Sequence, residues 1–555
     1  MKLLLALFLA ATHALAGEVL CNGIELPDKW PPQTPVESIR KGDPMPVPYL
    51  EHPPAVIPID VGRQLFVDDF LIESTTLTRR FHMCEEYKEN PVLVPDKRWE
   101  FRDEPKSAMA FSDGCFFDPK DQLFKIWYLQ GHGRSTGYAT SKDGLHWDKP
   151  SLEVQPGTNV VLLAGKRDSA TVWLDHDTSD PAQRFKMIQF HRDCWKSSLH
   201  TSPDGIHWSG PTWCGKTGDR TTMFYNPFRK VWVINLRCHA TLQPSDYKAV
   251  PPVQLIRYRK YFENRDFLAA ANWKGGVENL DWRDGEPVTW VAADRLDARP
   301  DAAPNEMKPE LYALDPAPYE SLMVGQFCVL EEYPTRDRPK LNQIRFGFSR
   351  DGFHWARPSR EPVMRASEDV NAWNAGNVQS VGGGGVIVGD KIFFYHSGRN
   401  KKQDSTGVAF LRRDGFASME AGDAEAMLTT RPVKFSGSHL FVNLAAPQGE
   451  LRAEVLDRNG DVIVPFTKEN CVAASGDKTL LKLVWKDGGD LSKLASQPVK
   501  FRFHLKNGAL YSFWVSPKES GASRGYVAAG GPGFTGPTDT VGSASYGVAN
   551  NDAKK

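Results

Sequence analysis

Four acidic side chains stand at matching distances ahead of the residue that closes a short apolar run. Asp113 lies five before Asp118 and Glu310 five before Asp315, while Asp168 lies seven before Asp175 and Asp219 seven before Asn226. If each run is the same strand of a repeating unit, the carboxyls gather at one mouth. Cleaving an acetal needs such a gathering: one carboxyl stays protonated to donate to the leaving oxygen, and one is ionised to attack or to activate water. Crowded like charges push one pKa up, and a nearby arginine holds another down. The plainer alternative is that each acid caps the start of its strand or pairs with Arg167 or Arg220. Other chemistries are not indicated: there is no HExxH, and the strings of G-x-S-x-G, Walker and G-x-G-x-x-G type at 133–137, 210–217 and 531–536 are not followed by an expected helix. No metal and no cofactor is expected.

Polar and aromatic residues surround these acids in the chain. His132, His191, Arg192, Arg237, His239, His396 and Arg399 fall at the ends of the expected second strands, and the fifth unit offers Asn374, Asn377 and Gln379 where the others offer an acid. Trp99, Trp213 and Trp373 are expected in loops on the same side, where a sugar ring can stack. The candidate catalytic residues are therefore Asp113, Asp168, Glu310 and Asp219. The candidate substrate-binding residues are Trp99, His132, Arg192, Arg237, Trp373, Asn377, Gln379 and Arg399.

A repeat supplies the elements that must hold these side chains. Ser141-Lys142-Asp143-Gly144-Leu145-His146-Trp147 recurs at Ser202–Trp208 and Ser349–Trp355, with worn copies at Asn264–Phe267 and Arg412–Phe416. The aspartates stand at 143, 204, 266, 351 and 414, separated by 61, 62, 85 and 63 residues. A period of this length marks a repeat architecture. Each unit reads as four strands: an apolar inner run such as Gly114–Asp118, a partner such as Leu123–Tyr128, a third strand, the Asp-Gly turn, and an outer strand. With no convincing amphipathic helix between them, the expected fold is all-β: a five-bladed β-propeller over 61–427, followed by a small C-terminal β-sandwich over 428–520. Leu65–Glu73 and Leu77–His82 are expected to help close the ring. The Asp-Gly turns lie on the face opposite the acids, so they read as structural, with each Trp wedged between blades.

Composition narrows the classes. The chain has 555 residues, 41% hydrophobic and 25% charged, and Lys+Arg equals Asp+Glu at 68 each. No global positive field exists to bind nucleic acid or an anionic membrane. Lys2, the apolar run Leu3–Ala11 and Ala14-Leu15-Ala16 read as a signal peptide over 1–16, and the run is too short for a membrane span. The mature chain is expected to be secreted or periplasmic. The eight cysteines are scattered without a CxxC pair and read mostly as small core residues. A Pro-rich stretch over 17–60 reads as an extended surface arm, and the Gly/Ser-rich stretch over 521–555 as a disordered tail.

The chain resembles the five-bladed glycoside hydrolases, the invertase/levanase-like and arabinanase/xylosidase-like superfamily. Lys166-Arg167-Asp168-Ser169 is similar to the Arg-Asp-Pro motif of the invertase-like branch, with Ser for Pro, and Asn90-Pro91-Val92-Leu93 followed by Trp99-Glu100 resembles the start of blade one in related enzymes. The resemblance implies a nucleophile or base on blade one (Asp113), a transition-state-stabilising acid on blade two (Asp168) and an acid on a later blade (Glu310 or Asp219). The Asn-Asp-Pro-Asn-Gly signature and a blade-three Glu-Cys pair are absent, so fructan and sucrose are not implied. The expected function is a secreted glycoside hydrolase degrading an extracellular polysaccharide, with a carbohydrate as its partner. The alternatives are a catalytically silent carbohydrate-binding propeller and, more remotely, a sialidase-like enzyme.

Overall fold

The structure, a computed structural model, describes residues 17–101, 105–163, 165–242, 254–273, 286–298 and 308–547. The expected leader, 1–16, lies outside the described residues, as does 548–555. Among the described residues the regular structure is nearly all strand, joined by turns and a few short helical segments.

Three sheets have four strands each. The first runs in the order Arg167–Leu174, Phe185–His191, Lys196–Ser202 and Thr212–Lys216. The second comprises Thr222–Asn226, Val231–Leu242, Gln254–Asn264 and Val288–Ala292. The third comprises Glu310–Glu320, Leu322–Glu332 and Leu341–Ser349, with Tyr526–Val527 added at the edge of the inner strand. A ten-stranded sheet unites the first and last repeat units, because Lys106–Met109 pairs in parallel with Gln403–Arg412. The two ends of the repeat region are thus hydrogen-bonded to each other. Strands such as Leu123–Gln130 are buried along nearly their whole length. Their apolar residues therefore run almost without alternation, as expected where both faces of a sheet are covered.

Three features differ from the expectation. First, Ile72–Thr75 and Thr78–Phe81 do not close the ring: they pair with Ala426–Thr430 and Ala417–Ala421. Closure falls to Lys106–Met109 and to Glu85–Glu86, which pairs with Gln403–Arg412. Second, the expected sandwich over 428–520 is part of one nine-stranded sheet that also includes Gln64–Leu65, Ile72–Thr75, Thr78–Phe81 and Ala417–Ala421. Leu20, Ile24, Leu26 and Tyr49 are buried in the core of this region, so the Pro-rich arm belongs to it and is not a mere surface strap. Third, residues 521–547 are ordered. Phe117 N–H donates to Ala529 O at 2.8 Å and Ile387 N–H to Gly530 O at 3.0 Å. Small residues permit this approach: a Cβ on Gly531 would stand 1.9 Å from the Ile387 carbonyl oxygen. This segment crosses the inner strands away from the ends that carry the four acids.

A buried charge cluster fastens the segment. Arg63 and Arg413 share Glu320, Asp414 and Asp539, and all five side chains are sealed from solvent. Asp414 is the aspartate of the last worn repeat. It has left the turn role and accepts from Arg63, Tyr319, Asn443 and Ser512.

The intact turns behave as expected. Asp143 Oδ1 accepts from the Leu145 and His146 amides at 2.8 and 2.9 Å, and Ser141 Oγ accepts from Gly144 N–H at 2.8 Å. Asp204 and Asp351 repeat the pattern. The turn glycines 144, 205 and 352 have φ of 78°, 80° and 82°, where a side chain is disfavoured. Each turn is also gripped by the preceding unit. Trp127 Nε1 donates to Gly205 O, Trp290 Nε1 to Phe353 O and Tyr395 Oη to Gly144 O, at 2.7, 2.7 and 2.8 Å. Trp147 meets Tyr395 edge-on, and Trp355 packs on Trp290 and Phe327.

Candidate active site

Asp168 sits in Arg167–Leu174, the first strand of its sheet, and is almost fully buried. One oxygen, Oδ2, accepts from Arg192 Nε at 3.1 Å and from Arg192 Nη2. The other, Oδ1, is buried without a hydrogen-bond partner. Burial pushes this carboxyl up, but Arg192, Arg220 and Lys340 outweigh it and hold the pKa below the ordinary value. Asp168 is therefore ionised at neutral pH, with a free lone pair directed away from its arginine.

Glu310 begins the strand Glu310–Glu320 and is wholly buried. Its Oε2 accepts from Arg257 N–H at 3.1 Å and from Arg257 Nη1 at 2.5 Å, and its Oε1 accepts from Tyr333 Oη at 2.5 Å. Asp219 is the most open of the four acids and is clasped by Arg237, whose Nε also donates to the Asp219 carbonyl at 3.1 Å. Arg237 in turn reaches His239, whose pKa is lowered to about 4 by burial and by three arginines, 237, 257 and 259.

Asp113 does not join them. It is fully buried against Arg167, whose side chain is equally sealed, with N···O contacts of 2.7 and 2.8 Å. Burial outweighs that pair and raises its pKa to about 6. Asp113 is thus enclosed with Arg167 as Glu310 is enclosed with Arg257 and Tyr333. The reason is local: Arg167 precedes Asp168 in a strand start with a register shift, so its side chain turns back onto the neighbouring sheet.

The binding candidates divide. Arg192, Arg237 and Arg399 converge near Asp168, and each is in electrostatic contact with Tyr312. Arg399 pairs with Asp404, 2.9 Å through Nη2, and His132 approaches Asp404 at 3.9 Å. Asn377 and Gln379 bond each other at 2.6 Å, both buried, each keeping one unpartnered polar atom, Asn377 Nδ2 and Gln379 Oε1. The tryptophans do not line a common wall. Trp99 donates to Asn159 at 2.9 Å beside Glu100 and Tyr128, a knot within its own unit. Trp373 lies over His396, 5.3 Å between centroids, and fills the space above Gly398 and Gly407. Trp213 belongs to the outer strand Thr212–Lys216 and is half exposed against His191.

Several residues of the site escaped the sequence reading. Tyr312 is its hub: Lys340 Nζ meets Tyr312 Oη at 2.5 Å, and Lys340 and Arg257 lie 4.3 and 5.3 Å from its ring centroid. Burial pushes this phenol up, yet Lys340 and Arg220 bring it below its ordinary pKa. Arg220 donates to Ser112 Oγ at 2.8 Å and to Phe111 O at 3.1 Å, and Arg259 donates to Arg220 O at 2.6 Å. Arg257 and Arg259 alternate in Gln254–Asn264, so they share one strand face. That alternation was the available signal. Below them Asp315 accepts from Ser112 and Ser380, at 2.8 and 2.5 Å. A separate cleft of about 250 Å³, lined by Phe81, His82, Phe346, Phe348 and Arg365, contains none of these groups.

No family model matches the chain, and no curated protein sequence matches it. Solved structures do. By structure the chain is similar to propeller-type glycoside hydrolases. A fructofuranosidase of Schwanniomyces occidentalis complexed with fructosylnystose is 11% identical, covers 77% of this chain and 98% of its own, and has a TM-score of 0.35. A glycosyl hydrolase from Bacteroides ovatus is 14% identical over 63% of this chain and 97% of its own, with a TM-score of 0.37. A member of a family of mannoside phosphorylases that contains hydrolases of β-1,2 mannosidic linkages in Candida mannan is 14% identical. It covers 63% of this chain and 96% of its own at a TM-score of 0.39.

Proposed function

We propose that this protein is an exported glycoside hydrolase, a five-bladed propeller that cleaves a glycan at the mouth of its ring. The observation that carries the reading is Asp168: an ionised, nearly buried carboxylate with one oxygen oriented by Arg192 and the other unpartnered. Such a group is arranged to attack an anomeric carbon or to take a proton from water. Glu310 is the proton donor of this reading. Its Oε1 accepts a hydrogen bond from Tyr333 and its Oε2 from Arg257, so substrate that draws Arg257 away frees Oε2 toward the leaving oxygen. Export rests on the leader-like run Leu3–Ala11 and its Ala14-Leu15-Ala16 site.

One observation favours the silent carbohydrate-binding alternative. Asp113, Asp168, Asp219 and Glu310 each pair with an arginine, so each is engaged before any substrate arrives. Release of reducing ends from a panel of oligosaccharides separates the two. Hydrolysis predicts turnover by the wild type that falls at least ~100-fold, consistent with loss of an acid–base group, in Asp168→Asn and in Glu310→Gln, with binding kept. Wild-type binding without any release establishes the silent reading, and undiminished turnover in Asp168→Asn removes the proposed role.

A further inference from the structure

We infer that the cationic cluster around Tyr312, the well of this reading, accepts an acidic saccharide, one whose carboxylate or sulfate seats among Arg192, Lys340, Arg257 and Arg399. This rests on the reading of the well as a saccharide site and specifies what that site selects. Three of the ion pairs there share one orientation. Arg192 is 51% exposed over an Asp168 of 4%, Arg257 is 22% over a Glu310 of 0%, and Arg399 is 22% over an Asp404 of 0%. Only Asp219 reverses the order. A molecule entering the well thus meets guanidinium groups, with the carboxylates behind them.

The positive charges also outnumber their partners. Among the described residues Lys340, Arg220 and Arg259 form no ion pair with an acid: Lys340 holds the Tyr312 hydroxyl, Arg220 holds Ser112 and a carbonyl, and Arg259 holds two carbonyls. Asp168, Asp113 and Asp315 act on them electrostatically without a direct ion pair, so the cationic groups there remain in excess. The crowding has a visible effect on the groups themselves. Burial and like charges lower Arg237 to about 10 and Arg259 to about 9. An anion seated on Lys340 and Arg192 adds a counter-charge to this cationic face. Arginine forks bind carboxylate and sulfate oxygens two at a time. A neutral sugar offers no such compensation.

Calorimetric titration with uronate-bearing and sulfated oligosaccharides, each beside its carboxyl-reduced or desulfated counterpart, tests this. The acidic member is expected to bind at least tenfold more tightly than its neutral counterpart. The advantage shrinks as NaCl rises, and it is lost in Lys340→Met and in Arg192→Gln at unchanged melting temperature. Neutral members bound as well as acidic ones overturn the inference while leaving the saccharide site intact. Free sulfate or phosphate bound as tightly as any acidic sugar, with no gain from the saccharide, overturns it in favour of a simple oxyanion site. No binding by either kind of sugar overturns both the inference and the saccharide reading beneath it.

Discussion

Asp143 and Asp414 occupy the same position of the repeat, yet the structure assigns them different work, and exchanging each for asparagine measures the difference. Asp143 is 45% exposed and serves a turn, accepting from two amides and Ser141. Loss of such a cap costs about 1 kcal/mol. Asp414 is sealed and accepts from four donors, one of them the Arg63 guanidinium. Asparagine leaves one acceptor oxygen, turns an amide N–H₂ toward the remaining donors, and strands a buried cation. Removing one member of a buried pair costs about 3–5 kcal/mol, so Asp414→Asn is expected to be at least about threefold more damaging than Asp143→Asn by the same reasoning. Urea unfolding followed by tryptophan fluorescence gives both values, provided the slopes agree with the wild type. Acidity supplies a second reading. Burial pushes Asp414 up, but Arg63 and Arg413 outweigh it and lower its pKa below 3.8. Its stabilisation is therefore present above the unfolded value and is lost as pH falls through the folded one. The gap between wild type and Asp414→Asn should close on acidification below about pH 4. Equal costs for the two substitutions, or a gap indifferent to pH, would refute the account of the buried cluster.

Three further outcomes follow from the same geometry. Asp113 has its pKa raised to about 6 by burial, so the folded state resists its ionisation. Relative to Asp113→Asn, the wild type should lose on the order of 1–3 kcal/mol as pH rises from about 4 to 6, readable from paired melting curves, and a flat difference would contradict the raised value. Truncation after Ser520 removes Asp539 from Arg413 and the amide partners of Phe117 and Ile387. The shortened chain should be soluble only in trace amounts or be rapidly cleaved by protease, whereas wild-type resistance would show the segment to be dispensable. Trp373→Ala should cost about 3 kcal/mol, as for loss of a large packed ring, while saccharide affinity stays within a factor of about two, since 1.4 kcal/mol would already be tenfold. A selective loss of binding would return Trp373 to the substrate wall.

Much of the fold is legible because it follows local patterns. Thr222–Asn226 is a strand over the residues that its place in the repeat marks, and each intact Ser-x-Asp-Gly turn folds on side chains within six positions. What the pattern misses depends on distant partners. Nothing around Lys106 indicates that it will pair with Gln403, and Gly530 and Gly531 read as floppy until Ile387 is placed beside them. The site divides along the same line. Asp168, Arg192, Arg237 and Arg399 were recoverable from their places at strand ends. Tyr312 and Lys340 were not, because a tyrosine inside an apolar strand resembles core until the cations of other sheets surround it. The same holds for Asp113, whose register ahead of its strand suggested a reactive acid but whose arginine comes from the next sheet.

The aromatic grips on the turns are not uniform around the ring. Trp127, Trp290, Tyr319 and Tyr395 each bind the turn that follows them through a directed N–H or O–H bond. Among the described residues the turn at Asn264–Phe267 has no such bond, only the Lys186 ammonium near the Phe267 ring, at 5.9 Å, and the edge of Trp232. Four turns latched by directed bonds and one merely pressed into place leave a built-in place to gape. Thermal breathing should start between Lys196–Ser202 and Gln254–Asn264, beside Arg192 and the strand that carries Arg237, so the fold yields first where guanidinium groups crowd together.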